Sequence, residues 1–146
     1  MLIEITDQPI NPWQRIEAYQ QQHVALAGKH GATAVFVGSM RDFNEGDDIV
    51  DMQLEHYPGM TEKYLQGIVE VALQRWNLLD VMILHRVGAI RPNDTIVVVA
   101  VWSAHRAEAY EANRYLMEIL KAQAPFWKKE TLADGAMRWV EKNTPG

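Results

Sequence analysis

The sequence contains no cysteine. That excludes a disulfide, a thiolate metal site and a cysteine nucleophile, and the chain cannot itself carry a persulfide. Any sulfur it handles must arrive on another molecule. No apolar stretch approaches the roughly 18 residues that span a bilayer, so no membrane is expected as a partner. The first nine residues carry acids and no basic leader, unlike a signal peptide, and the cytoplasm is the expected compartment. Positive charge is in deficit, with 14 Lys and Arg against 19 Asp and Glu and a net charge of −5. General nucleic-acid binding is therefore not expected, although a local basic pocket stays open. P-loop, dinucleotide-binding and nucleophile-elbow glycine patterns are missing. None of the 5 histidines has metal-ligand spacing, so neither a metal nor a cofactor is expected.

What is present is ordinary globular material. The chain has 146 residues, 48% hydrophobic and 23% charged, which suits a single domain over residues 1–146 with a real core. Residues 2–6 read as a strand. Asn11-Pro12 is a helix start, and Trp13, Ile16, Tyr19, His23 and Leu26 recur at helical spacing before Gly28. Residues 32–37 form a buried strand, 39–48 a polar loop and 49–57 a second strand. Thr61 caps a helix carrying Leu65, Ile68, Val69, Ala72 and Trp76. Residues 81–87 and 95–102 are strands around a turn at Arg91-Pro92-Asn93-Asp94. Ser103 caps a helix to about Gln123, stopped by Pro125. Residues 126–130 and 137–140 are short strands joined at Asp134-Gly135. Short links between neighbouring strands favour an antiparallel or mixed sheet, hence an α+β fold.

Four places carry cations where chemistry could use them. Lys121 stands at a helix C-terminus, where it either compensates the helix dipole, worth about 0.3–1 kcal/mol, or serves a site. Lys128 and Lys129 follow two aromatics on a short strand. Alternation sends them to opposite faces, so one of them points into a site and Lys129 faces outward, or both decorate a solvated edge. Ser103-Ala104-His105-Arg106 opens a helix, where backbone N–H groups and Arg106 either hold an anion or simply cap. Arg41 lies on a loop beyond a strand that ends at Gly38; it reaches a ligand or pairs with Asp42 or Asp47. His23 and His85 fall on apolar faces and read as core or boundary residues.

Several segments together resemble the MoaE family, the large subunits of molybdopterin synthase. They are Phe36 to Asp42, Leu54 to Glu62, His85-Arg86-Val87-Gly88, Ser103 to Arg106, Leu120-Lys121 with Ala124 to Glu130, and Trp139-Val140-Glu141. The resemblance implies an α/β-hammerhead-like fold with packed helices and a small β subdomain. It implies a homodimer of large subunits, each binding a small ubiquitin-like sulfur carrier, MoaD-like, whose Gly-Gly tail ends in a thiocarboxylate. The implied reaction moves two sulfurs from that tail to cyclic pyranopterin monophosphate, making the molybdopterin dithiolene. By motif, Lys121 and Lys128 are the catalytic lysines. Arg41, His105 and Arg106 match anion- and pterin-binding positions, and Phe36, Met117 and Glu130 match pocket walls or supports.

On chemical grounds Lys121 is expected to act in proton transfer, with crowding by Lys128 and the arginines lowering its pKa, and Lys128 to stabilise developing phosphate or oxyanion charge. His105 and Lys121 lie on one predicted helix, ~24 Å apart at ~1.5 Å per residue. The His105-Arg106 pair is therefore expected to serve the other subunit's pocket. Two departures stand out. Met40 replaces a common valine, and the chain ends Thr144-Pro145-Gly146, so it is not itself a Gly-Gly carrier. The competing readings are a non-catalytic dimeric scaffold for an anionic ligand or partner tail, and an acyl- or phosphoryl-transfer enzyme with a lysine base.

Overall fold

The computed structural model describes residues 1–23 and 28–141. Leu26, counted above among the helical positions, and the terminal Thr144-Pro145-Gly146 lie outside the described residues. The order is β1 (Leu2–Thr6), α1 (Pro12–Gln22), β2 (Ala32–Ser39), β3 (Phe43–Asn44), β4 (Asp47–His56), α2 (Met60–Arg75), β5 (Leu78–Arg86), β6 (Gly88–Ile90), β7 (Thr95–Ser103), α3 (Arg106–Gln123), β8 (Phe126–Leu132) and β9 (Met137–Trp139). The architecture is the α+β arrangement expected, with two sheets.

The first sheet runs β1-β5-β7-β2. It is mixed: β1 lies parallel to β5, while β5 and β2 flank β7 antiparallel. β7 is a run of β-branched residues buried on both faces, as a central strand covered on each side must be. Its alternation feeds two cores. Val97, Val99 and Val101 join Val81, Ile83 and residues of α2 and α3 such as Leu65 and Leu116. Val98, Ala100 and Trp102 turn to the other face, against Met82, Leu84 and Tyr19 of α1. Asn11 caps α1 by accepting from the Gln14 N–H at 3.3 Å, with Pro12 next.

The second sheet runs β3-β4-β8-β9, with β6 also on β4. Its small core is Met40, Ile49, Met52, Leu54 and Ile90. Two of its strands were not expected. Residues 39–48 are not a plain loop: Phe43 pairs with Asp48 and Asn44 with Asp47 around Glu45 and Gly46. Both turn residues have positive φ, 51° and 83°, the geometry that lets two twisted strands meet across a two-residue turn. The other is β6, just before the Arg91–Asp94 turn.

Two caps also differ. Gly59, not Thr61, precedes α2, with its N–H donating to Glu62 at 2.6 Å. Thr61 is buried, and its hydroxyl donates to the Pro125 carbonyl at 3.1 Å. Likewise α3 is capped at His105, while Ser103 ends β7 with its hydroxyl bonded to the Asn77 carbonyl at 2.9 Å. In both cases a buried hydroxyl found a partner across the fold and left the cap to its neighbour.

Candidate active site

The site lies where the two sheets meet under α3. A pocket of about 590 Å³ opens there, and six of the eight residues singled out from sequence line it: Phe36, Arg41, Met117, Lys121, Lys128 and Glu130. Each arrives by simple geometry. On α3, Tyr110, Asn113, Arg114, Met117, Glu118 and Lys121 all border the pocket, and their spacing of three and four is one helix face. On β8, Lys128 and Glu130 share the pocket face. Lys129 takes the other face and holds its ammonium 5.6 Å from the ring centre of Trp139, its cross-strand partner. β2 contributes Phe36 and Gly38. A Cβ on Gly38 would lie 2.8 Å from Val97 and 3.1 Å from the Phe36 ring, so glycine leaves that ring its place.

His105 and Arg106 are not brought to this pocket. They sit exposed at the N-terminal end of α3, while Lys121 is in its last turn.

The electrostatics are uneven. Arg114 is paired with Glu118 at 2.9 Å. Glu130 is buried and engaged by Arg138 at 3.2 Å and by Asn44 at 3.1 and 3.2 Å. Among the described residues, no ion pair takes Arg41, Lys121 or Lys128. Arg41 instead lies over the Phe43 ring, 4.8 Å from its centre. Three cations thus face a partly apolar space, none of them in an ion pair among the described residues, in a protein of net charge −5. Such a cavity attracts an anion from outside.

Crowding falls on Lys128. Burial, then the neighbouring Lys121 ammonium, pushes its pKa down to about 8, with Arg41 adding to the effect and Glu130 opposing it. The sequence reading placed this depression on Lys121. The β8 pleat accounts for the effect on Lys128, because it turns that side chain into the sheet junction, where water is scarcer.

Behind the lysines stands His85, expected as a core residue and found 4% exposed. Burial pushes its pKa down to about 3, with the charges of Lys128 and Lys121 contributing. Asn113 forms another part of the wall. Its Nδ2 donates to the carbonyls of Ala34 and Val99, each at 3.0 Å, tying α3 to β2 and β7. Sequence reasoning missed Asn44, Asn113 and Arg138. The i, i+4 relation of Asn113 to Met117 and Lys121 was the one usable signal. No described helix is long and apolar enough to cross a membrane, and no cluster of three or more metal-ligating side chains occurs among the described residues.

Comparison with known proteins agrees with this architecture. Residues 5–123 match the profile of the family described as MoaE protein. The chain is 57% identical over 111 residues to the molybdopterin synthase catalytic subunit of Ralstonia nicotianae, a match covering 76% of this chain and 62% of that relative. The chain thus spans less than two thirds of that relative's length. It is 48% identical over 141 residues to the Pseudomonas aeruginosa protein of the same name, covering 97% and 91%. The solved structure of a molybdopterin biosynthesis MoaE protein from Burkholderia ambifaria superposes with a TM-score of 0.79 at 41% identity, covering 99% of this chain and 92% of the other.

Proposed function

The chain belongs to the MoaE family, and on that premise we propose that it is the catalytic subunit of a molybdopterin synthase, a sulfurtransferase. It would take one sulfur from the thiocarboxylated Gly-Gly terminus of each of two small ubiquitin-like carrier molecules, leaving each as a carboxylate after hydrolysis, and add both sulfurs to cyclic pyranopterin monophosphate, forming the dithiolene and opening the cyclic phosphate. The observation that carries the reading is the trio Arg41, Lys121 and Lys128, cations gathered around one pocket and in no ion pair among the described residues. Substrate phosphate and carrier terminus are both anions, so one basic cavity suits both. The absence of cysteine fits a reaction in which the partner brings the sulfur.

Within this reading each side chain has a job. Arg41 grips the phosphate, and a guanidinium does so with two parallel N–H bonds. Phe36 and Met117 supply apolar walls for the flat pterin. Lys128 is the proton carrier, because a lysine held near 8 gives up and regains a proton close to neutral pH. Lys121 beside it remains a catalytic cation that meets the thiocarboxylate and the oxyanion formed on the acyl carbon. This exchanges the roles assigned from sequence, for the reason given above. Glu130, with its oxygens committed to Asn44 and Arg138, supports the wall and does not grip substrate.

His105 and Arg106 lie at the far end of α3, and we assign them to the pocket of a second copy in a homodimer. The decisive experiment supplies purified thiocarboxylated carrier and cyclic pyranopterin monophosphate to the wild-type chain, Lys121→Ala and Lys128→Ala. Wild-type turnover with loss of at least about 100-fold in each variant is expected, the scale of removing a preorganised charge or a proton carrier. Product at near wild-type rate from either variant would remove that lysine from the mechanism. A wild-type chain that binds both anions without turnover would be a scaffold.

A further inference from the structure

Arg138 of β9 reaches across to the β3–β4 hairpin. Its Nε donates to Glu130 at 3.2 Å, its Nη1 to Asp47 at 2.8 Å and its Nη2 to the Asn44 carbonyl at 3.0 Å. Glu45 lies a further 3.8 Å from Nη1. All three guanidinium nitrogens are therefore engaged by the chain itself. Asn44 closes the circuit by donating its Nδ2 to both oxygens of Glu130. The hairpin is also held by the Ile49 N–H, which donates to the Asp42 carbonyl at 2.7 Å, and by the Ala133 N–H, which donates to the Asp48 carbonyl at 3.0 Å. Its first strand is two residues long, and Phe43 is 51% exposed; a hairpin of that size is marginal by itself. Yet Phe43 is the ring on which Arg41 rests at the pocket.

We propose that Arg138 is a positioning residue that latches the Phe43–Asp48 hairpin to β8 and β9 and so holds Arg41 where it meets an anion in the pocket. The inference rests on the reading of Arg41 as an anion-binding residue. Arg138 itself touches no ligand. Its effect passes through Asn44 and Phe43 to Arg41, which makes it a determinant of affinity and not of the chemical step.

The test is a double-substitution cycle with two readouts. Arg138→Gln, Arg138→Lys, Arg41→Ala and the Arg41→Ala/Arg138→Gln pair are compared for the dissociation constant of inorganic phosphate and for kcat and KM with carrier thiocarboxylate and cyclic pterin. Arg138→Gln should weaken phosphate binding and raise the pterin KM about tenfold, with kcat within about twofold. Arg138→Lys should recover part of the loss. On the Arg41→Ala background Arg138→Gln should add less than about twofold, since the residue it positions is gone. Equal effects of Arg138→Gln on both backgrounds would overturn the latch, as would a fall in kcat at constant KM. If the wild type binds phosphate through Arg41 but does not turn over, the functional reading fails and the phosphate cycle alone decides the latch. Far-ultraviolet circular dichroism and the urea midpoint of each variant separate a moved hairpin from an unfolded chain. A cycle that tracks the urea midpoint and not the presence of Arg41 also counts against it.

Discussion

The imidazole of His85 lies flat on the ring of Phe126, with centres 3.8 Å apart and planes 12° apart. His85 is the penultimate residue of β5 and Phe126 opens β8, so the stack joins the first sheet to the second. The His85 Nδ1 is 2.8 Å from the Arg86 carbonyl. A carbonyl only accepts, so that nitrogen carries a proton, and burial keeps the ring from taking a second one. Two residues along β8 on the same face comes Lys128. A neutral, immobile ring at this joint fixes the strand that carries the lysine without adding a fourth positive charge.

That neutrality makes stability depend on pH in a defined direction. Folding pushes the His85 pKa down to about 3, while the unfolded chain takes up the proton near 6.5. The stabilisation is full above pH 6.5 and is lost as pH falls from there towards 3, at up to about 1.4 kcal/mol per pH unit. Between pH 7 and pH 5, the wild type should lose about 1–2 kcal/mol more than His85→Phe, measured by urea unfolding. Equal losses in the two proteins would show that His85 is not the group responsible.

Lys128 gives the same sign of dependence at alkaline pH. Its pKa falls to about 8 in the fold from 10.5. Between those values the unfolded chain holds a proton that the fold releases, so stability rises with pH, and at pH 7 the charged side chain opposes folding in full. Lys128→Met should therefore be more stable at pH 7, on the order of 2 kcal/mol, and inactive. Lys128→Arg keeps a charge that does not titrate, and should abolish the limb near pH 8 in the rate profile. A Met variant no more stable than wild type would contradict the depression.

The assignment of His105 and Arg106 to a second copy has a numerical consequence. Arg106→Ala and Lys121→Ala chains are each inactive alone in this scheme. Unfolded together and refolded, half of the dimers are mixed, and each mixed dimer has one intact site. About a quarter of wild-type activity should return, following from the two-fold symmetry of such a dimer. No recovery, with mixing verified by differently tagged chains, would place the pair outside the site.

Much of this was legible in the sequence, and the limits are instructive. β7 was readable because Val97 to Val101 announce a strand buried on both faces, whatever surrounds it. Met117 and Lys121 on α3 were readable from the family resemblance, and the division of Lys128 from Lys129 from strand alternation. β3 and β6 were not. A strand of two or three residues has no periodicity to detect, and exists here because β4 offers it a partner. Arg138 was invisible for a related reason: Asn44 and Asp47, which it joins to Glu130, stand far away in the chain. The pKa depression of Lys128 was also hidden, because it depends on which side chain the sheet junction dries. Caps at Thr61 and Ser103 were misjudged because sequence shows a hydroxyl but not the distant carbonyl that claims it.

The pairing of β4 with β8 sets an order in time. Its contacts run from Ile49 with Leu132 to His56 with Phe126, whereas every strand of the first sheet is complete by Ser103. A ribosome therefore delivers the first sheet whole, together with Phe36, Arg41 and Asn44, while β4 still has a bare edge and the pocket has no far wall. Lys121, Lys128 and Arg138 emerge last and close it. Until then the growing chain exposes a strand edge and a half-built cavity, and the interval ends only when synthesis has passed β8 and β9.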